Sequence, residues 1–202
     1  MQSYVEDWAA SQGLEVESWL GSGDFGDAYE TTCGRVIKIT SDIKEFMAAF
    51  SIQCVKSNYL VDIHKAELTD EDQLLILMEK LDTNGIEDVF NDAMSLIDEY
   101  SFGEWEYFDK DELPEDLITS EKSINLIDDI CSSIMDLRQK GIDIPDIHER
   151  NIGMKNGRYV LFDFQMTENR SYDDFKTYIL GEQSKKNTPG RISQPSAYLS
   201  MQ

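Results

Sequence analysis

The sequence predicts an α+β fold with two lobes: an antiparallel sheet plus helix in the first, and a reduced, mainly helical second lobe. Up to residue 81, short apolar runs alternate with glycine and acidic turns, a pattern typical of strands joined by tight connections. Beyond it, apolar residues recur at helical spacing, and Asn156-Gly157 predicts one tight hairpin. We therefore assign residues 1–81 to the first lobe and 82–202 to the second, with a loosely ordered tail at 184–202.

The charge of the chain limits its partners. Forty acidic residues against 18 basic ones leave a formal net charge of −22. Such a surface repels the phosphates of nucleic acids and anionic lipids, so we expect no direct binding to nucleic acid and none to a membrane. A basic protein partner is its natural complement. Solubility alone would also explain the charge, and DNA mimicry by an acidic surface is a third interpretation.

Cysteine usage and hydropathy indicate a cytoplasmic protein. The three cysteines are widely spaced and form no Cys-x-x-Cys pair, which argues against a disulfide framework or a zinc site. The N-terminal residues include acids and lack the apolar centre of a signal peptide. No apolar run approaches the roughly 18 residues that span a membrane.

A glycine-rich hairpin follows the first predicted strand. Residues 1–12 predict a short helix that ends at Gly13, and a strand follows at 14–20. The next six residues have the pattern G-x-G-x-x-G, and Thr31 and Thr32 after them favour a second strand over the helix of a dinucleotide-binding site. Backbone N–H groups in such a hairpin are free to fold over phosphates. The candidate phosphate-binding residues are Gly21, Ser22, Gly23, Asp24, Phe25 and Gly26.

Lys38 lies in the third predicted strand, at residues 35–40. A lysine on a strand is commonly just exposed, but after a glycine hairpin it becomes a candidate to pair with the α- and β-phosphates of a nucleotide. Ser41-Asp42 predicts the start of the next helix. Glu45 has two interpretations: a capping-box partner, which we favour, or an ion-pair partner that fixes the Lys38 ammonium.

Two more strands complete the predicted sheet, at residues 59–64 and 74–78. The breaker cluster at 82–85 predicts a hinge between the lobes. Glu79, just before this hinge, is a further nucleotide-binding candidate.

The second lobe is predicted to contain helices at residues 86–100, 119–141 and 172–180. The acidic and aromatic segment at 101–117 has two interpretations. It is a docking surface for a basic partner or, as we favour, a solvated insertion.

Three oxygen-bearing side chains mark the end of the second long helix and the hairpin after it. Asp146 and Asn151 lie five positions apart, and Asp163 follows an apolar run. One carboxylate can orient an attacking hydroxyl while an amide oxygen and a second carboxylate hold Mg²⁺ on a nucleotide. The hairpin at 152–159 would bring Asn151 and Asp163 to adjacent strand ends. Alternatively, these residues only cap a turn and end a strand.

Together these segments resemble the protein kinase family. The glycine loop, Lys38 in Val-Ile-Lys, Asp146 with Asn151, and Asp163 before a phenylalanine occur in the family's order. The stretches LGSGDFGDAYE…RVIK and DIHERNIGMKNGRYVLFDF are similar to the early protein kinases of T7-like bacteriophages. The resemblance implies an enzyme that uses ATP and Mg²⁺ to modify serine and threonine in itself or in host proteins, in the bacterial cytoplasm. It also implies that Lys38 holds the α- and β-phosphates, Asp146 orients the acceptor hydroxyl, and Asn151 and Asp163 bind the metal.

The chain departs from the family pattern around the catalytic loop. Ile144-Pro145 replaces the usual His-Arg, so control through a phosphorylated activation loop is not expected. Gln165 replaces the glycine of the metal-binding loop, which predicts a fixed loop. His148 stands where the family has a lysine, and Arg150 is the residue expected to supply the positive charge.

Three functions remain open on the sequence. We favour a minimal Mg²⁺-ATP-dependent Ser/Thr protein kinase. The second is a small-molecule phosphotransferase resembling the aminoglycoside or choline kinases, which share the Asp-x-x-x-x-Asn pattern and a later aspartate. The third is a pseudokinase or acidic binding protein that sequesters a host factor, as Gln165, the missing His-Arg and the charge suggest.

Overall fold

The computed structural model describes residues 2–53, 55–101, 103, 105–114, 120–143, 147–166 and 172–186. It has a mixed α/β fold in which a five-stranded antiparallel sheet packs with helices, as the sequence predicts. The elements up to the end of the sheet are α1 (Gln2–Ser11), β1 (Val16–Gly23), β2 (Gly26–Thr31), β3 (Arg35–Thr40), α2 (Ile43–Ile52), β4 (Ile63–Leu68) and β5 (Leu74–Glu79). Those that follow are α3 (Ile86–Tyr100), α4 (Glu121–Arg138), β6 (Ile142–Asp143), β7 (Ile152–Lys155), β8 (Arg158–Leu161), β9 (Gln165–Met166) and α5 (Tyr172–Lys186).

The sheet has the order β1-β2-β3-β5-β4 and carries a helix on each face. On one face, α1 packs Val5 and Trp8 against Ile37 and other side chains of β2, β3 and β5. On the other face, α2 packs Phe46 among side chains of β4 and β5. Because β5 is covered on both sides, residues 74–78 form a continuous buried run. The edge strand β1 is mostly exposed and has two register irregularities, around residue 17 and residue 20.

The strand predicted at residues 59–64 is wrong in its position. β4 starts at Ile63 and continues to Leu68, and the residues before it form a loop. Two carbonyls of this loop accept from side chains, whereas the carbonyl of Asp62 accepts from Glu79 N of β5 at 3.0 Å. Ser133 Oγ donates to the carbonyl of Tyr59 at 2.7 Å, and Lys155 Nζ donates to that of Leu60 at 2.8 Å. Both donors are distant in sequence, so the local strand pattern cannot reveal them.

A second core joins α3, α4 and the hairpin β7–β8. The helix predicted at 86–100 is confirmed, and the helix predicted at 119–141 is present as α4, whose N-cap is Ser120. The buried side chains of this core come from all three elements: Phe90, Ala93, Ile97, Leu126, Ile127, Ile130, Ile152 and Leu161. The tight hairpin is also confirmed, because Asn156 and Gly157 both have positive φ, 50° and 80°, as a type I′ turn requires.

The aromatic segment after α3 is attached to this core where the structure describes it. Trp105 is 8% exposed and stacks on Phe90 with ring centroids 6.2 Å apart. Its carbonyl accepts a hydrogen bond from Cys131 Sγ at 3.1 Å. The prediction of a solvated insertion at 101–117 is therefore wrong for this anchor, although Tyr107 is 74% exposed. No helix in the described part of the chain is long and apolar enough to cross a membrane.

Two buried charged residues connect the hairpin to the rest of the molecule. Lys155 Nζ donates to the carbonyls of Ser57 (3.2 Å) and Leu60 (2.8 Å) and pairs with Asp62 (2.9 Å) and Glu79 (3.0 Å). Asp129 accepts from Arg158 and from the backbone N–H of Tyr159, each at 3.0 Å. The amphipathic pattern of α4 places Asp129 on the polar face, but it is buried because its two oxygens satisfy these donors.

Candidate active site

The glycine-rich hairpin is the β1–β2 turn, and it is held over the end of β3. The Phe25 carbonyl accepts from Ser41 N at 2.7 Å and from Ser41 Oγ at 3.0 Å. The Ser22 hydroxyl donates to the Asp27 carboxylate within the hairpin. Asp24 and Phe25 form the turn, and the Phe25 side chain is 54% exposed. The hairpin is therefore held through the backbone of its turn residue Phe25, while the side chain of Phe25 faces solvent.

Gly26 is required for the close approach of β2 to β3. A Cβ atom at this position would lie 1.9 Å from the carbonyl oxygen of Ile39, whereas at Gly21 and Gly23 it would meet nothing within 4 Å. We expect Gly26→Ala to force the two strands apart and to lower the melting temperature by several degrees, since a clash with backbone cannot be relieved by a rotamer change. Gly23→Ala is the matched control and should melt close to the parent. Equal melting temperatures of the two variants would contradict this expectation.

Lys38 lies at the centre of a cluster of charged side chains. Its ammonium pairs with the Glu45 carboxylate and lies 3.7 Å from Asp163 Oδ2. The side chains of Lys38, Glu45 and Asp163 are 23%, 7% and 38% exposed, so the acid from α2 is buried and the acid from the later segment remains accessible. Glu45 also accepts from Thr40 Oγ1 at 2.8 Å. The favoured interpretation of Glu45 as a capping-box partner is therefore wrong: Asp42 caps α2, and Glu45 fixes Lys38.

The electrostatics of this cluster keep Lys38 charged. Burial alone would lower the pKa of its ammonium, but Glu45 and Asp163 outweigh this effect and the pKa lies above its ordinary value. Burial raises the pKa of the Glu45 carboxyl; Lys38 opposes this effect and the Asp163 carboxylate adds to it. Two acids thus compete for one ammonium, and additional positive charge beside Asp163 would be favourable.

Asn151 is brought next to Asp163 by the backbone. Asn151 ends the 3₁₀ turn Glu149–Asn151, and its carbonyl accepts from Phe162 N at 3.1 Å. Asp163 directly follows Phe162, so the amide and the carboxylate belong to adjacent chain segments, as the hairpin pattern predicts. His148 starts the turn, where its Nδ1 accepts from Arg150 N at 3.1 Å.

Two predicted site residues lie elsewhere. The Arg150 side chain is 84% exposed and its Nε lies 3.5 Å from Glu149, so the structure does not bring this cation into the Lys38 cluster. The Glu79 carboxylate accepts from Asp62 N at 2.6 Å and pairs with Lys155. Its carboxylate is thus paired at the junction between sheet and hairpin, and the assignment of Glu79 to nucleotide binding stays a prediction.

Asp146 and Ile144-Pro145 lie outside the described residues, so the role of Asp146 stays a prediction. Within the described ranges, no group of three or more His, Cys, Asp or Glu side chains is arranged to hold a metal ion.

Two hydrogen bonds of the site are not predicted from the sequence. Thr40 Oγ1 donates to the Glu45 carboxylate, and Gln165 Nε2 donates to Asp42 Oδ2 at 2.6 Å. Only the cap at Asp42 is indicated by the pattern.

No protein-family model and no curated protein matches this chain. Among solved structures, the chain is similar to the kinase domain of PknI from Mycobacterium tuberculosis. A structure of a point mutant of that domain is 18% identical with a TM-score of 0.45, and a second structure of the domain is 18% identical with a TM-score of 0.43. Both alignments cover 79% of this chain, and the chain spans 62% and 61% of the length of those domains.

Proposed function

We propose that the chain is a Mg²⁺-ATP-dependent protein kinase of minimal type. The observation that carries this proposal is the position of Lys38, held by Glu45 beside Asp163 at 3.7 Å, with the glycine-rich hairpin anchored next to the same strand. A buried acid that fixes a lysine, beside a second acid that stays accessible, suits a site for a phosphate-bound metal.

The residues fit the groups that the proposal requires. Asn151 and Asp163 supply an amide oxygen and a carboxylate, which are the hard oxygen ligands that Mg²⁺ prefers. Lys38 would contact the α- and β-phosphates, and residues 21–26 would present backbone N–H groups to them. The metal, when bound, neutralises charge on the phosphates. Asp146 is assigned the acceptor hydroxyl from its sequence spacing to Asn151.

The finer features of the proposal rest on the sequence resemblance to the early kinases of T7-like bacteriophages. It supports serine and threonine acceptors, in the protein itself or in host proteins, and action in a bacterial cytoplasm. The net charge of −22 supports a basic protein as substrate or partner.

The test is transfer of label from γ-labelled ATP with Mg²⁺, to the protein itself or to a bacterial lysate. We expect the parent to transfer label and Lys38→Ala to lose at least about 100-fold in rate, because a charged group aimed at the phosphates is removed. Lys80→Ala is the matched control, since Lys80 is a half-exposed lysine that pairs with Glu30 on the same sheet. Equal labelling by Lys38→Ala and the parent would reject the site. Nucleotide binding without transfer would favour a pseudokinase instead.

A further inference from the structure

We propose that Gln165 is a positioning residue that holds α2 and the metal-binding segment, residues 163–166 with the proposed ligand Asp163, in one arrangement. The site is then assembled without modification of the chain. The inference rests on the proposed function and deepens it. The Gln165 amide donates to Asp42, and through that residue its side chain acts on the start of α2 and on Lys38. Each of the two oxygens of the Asp42 carboxylate has a separate role as a hydrogen-bond acceptor.

The first task of Asp42 is local. Its Oδ1 accepts from Lys44 N at 2.8 Å and Glu45 N at 3.4 Å, which caps the first turn of α2. The second task is long-range, because Oδ2 accepts from Gln165 Nε2 at 2.6 Å, a contact between residues 123 positions apart. One side chain thus sets both the start of the helix and its distance from the metal-binding segment.

These contacts belong to a closed loop of hydrogen bonds, ion pairs and one short backbone link. Asp42 N donates to Thr40 Oγ1 at 3.0 Å, and Thr40 Oγ1 donates to Glu45 Oε2 at 2.8 Å. Glu45 pairs with Lys38, and Lys38 lies 3.7 Å from Asp163. From Asp163 the backbone returns to Gln165 through a single residue, Phe164, which is 2% exposed in the core around α2. A shift of α2 away from this segment would therefore break the hydrogen bond between Gln165 and Asp42.

The backbone of Gln165 ties in a third segment. β9 pairs with β6 in antiparallel register, with Gln165 opposite Asp143 and Met166 opposite Ile142. β6 directly precedes the segment that leads to the 3₁₀ turn at Glu149–Asn151. Gln165 therefore connects α2 through its side chain and β6 through its backbone, and a glycine at this position would supply only the second connection.

The experiment compares Gln165→Met, which keeps the length of the side chain and removes its donor, with Asp42→Ser, which keeps a capping oxygen and loses the acceptor for Gln165. In the label-transfer assay we expect each variant to lower kcat about tenfold with little change in KM for ATP, since the phosphate contacts remain. The double variant should be no slower than the slower single variant, because both changes remove the same hydrogen bond. Multiplied effects, or a parental kcat in Gln165→Met, would overturn the proposal.

A second readout separates this inference from the proposed function. Amide hydrogen exchange across α2, measured without nucleotide, should speed up in Gln165→Met while α4 remains as protected as in the parent. If the parent transfers no label, the proposed function fails, and the exchange measurement still decides whether Gln165 holds α2. Unchanged exchange across α2 in Gln165→Met would refute the positioning role by itself.

Discussion

Replacement of Asp163 by asparagine is expected to reduce phosphoryl transfer by at least about 100-fold, the scale for loss of one charged group that acts in the transition state. The substitution preserves shape and removes a negative charge from the accessible side of the Lys38 cluster, where the side chain of Asp163 is 38% exposed. Asparagine is a poorer metal ligand than a carboxylate, and Asn151 already supplies the one neutral oxygen of the proposed pair. The loss should therefore appear mainly in kcat.

Stability should respond differently from activity in the same variant. Asp163 is one of two acids that share Lys38, and its carboxylate acts to raise the pKa of Glu45. Removing its charge leaves the Lys38–Glu45 pair intact and relieves repulsion between the acids. We expect Asp163→Asn to melt within a few degrees of the parent in a thermal scan. Asp128→Asn, an exposed aspartate paired with Lys110, is the control for charge alone and should transfer label at the parental rate. Full activity in Asp163→Asn would remove Asp163 from the mechanism.

Replacement of Lys155 by methionine is expected to lower the free energy of unfolding by about 3–5 kcal/mol, the range for breaking a buried ion pair from one side. Lys155 is 8% exposed, and its ammonium satisfies two carbonyls and two carboxylates from the loop before β4 and the end of β5. Methionine fills the volume and leaves all four acceptors without this donor. The measurement is a urea titration at neutral pH.

Lys56→Met provides a matched control for Lys155→Met. Lys56 pairs with the same aspartate, Asp62, at the same distance of 2.9 Å, but its side chain is 76% exposed. An exposed pair contributes at most about 1 kcal/mol. If both variants lost equal stability, burial of Lys155 would not be the cause of its effect.

The pH dependence of stability follows from the same cluster. Burial alone would raise the pKa of the Asp62 carboxyl, but hydrogen bonds from Lys155 and Lys56 outweigh it, and the pKa is lowered. A carboxyl with a lowered pKa stabilises the fold above its unfolded value of about 3.9, and this contribution is lost as pH falls through the folded value. Stability of the parent should therefore fall more steeply below about pH 4 than that of Lys155→Met.

The sequence predicts elements well where the decisive contacts are local. The hairpin at Asn156-Gly157 needs two residues with positive φ, and that pair is the strongest local pattern for it. The ends of α3 are predicted correctly because Gly85, with φ of 69°, and the aromatic segment after Tyr100 interrupt the helical pattern. Lys38 is predicted from its place after the glycine hairpin, and the geometry then puts it beside Asp163.

Errors arise where a distant residue competes with a local rule. Glu45 fits the spacing of a capping box, but the deep position of Lys38 offers a stronger, charged partner. Tyr59 and Val61 have high strand propensity, yet the carbonyls of Tyr59 and Leu60 accept from donors in α4 and β7. Asp129 fits the polar face of α4 until the hairpin places a backbone N–H against it. No pattern within one element contains these contacts.

The exposed edge of the sheet has a consequence for self-association. A strand with an open side presents a row of backbone donors and acceptors on which another polypeptide can add. β1 is such a strand, and Trp19 and Leu20 on it are 58% and 45% exposed. Its two register irregularities interrupt the regular row, and the exposed Glu17 puts a negative charge beside it. Two like molecules, each strongly anionic, would have to approach along this edge, so growth of the sheet from one molecule into the next is opposed by both shape and charge.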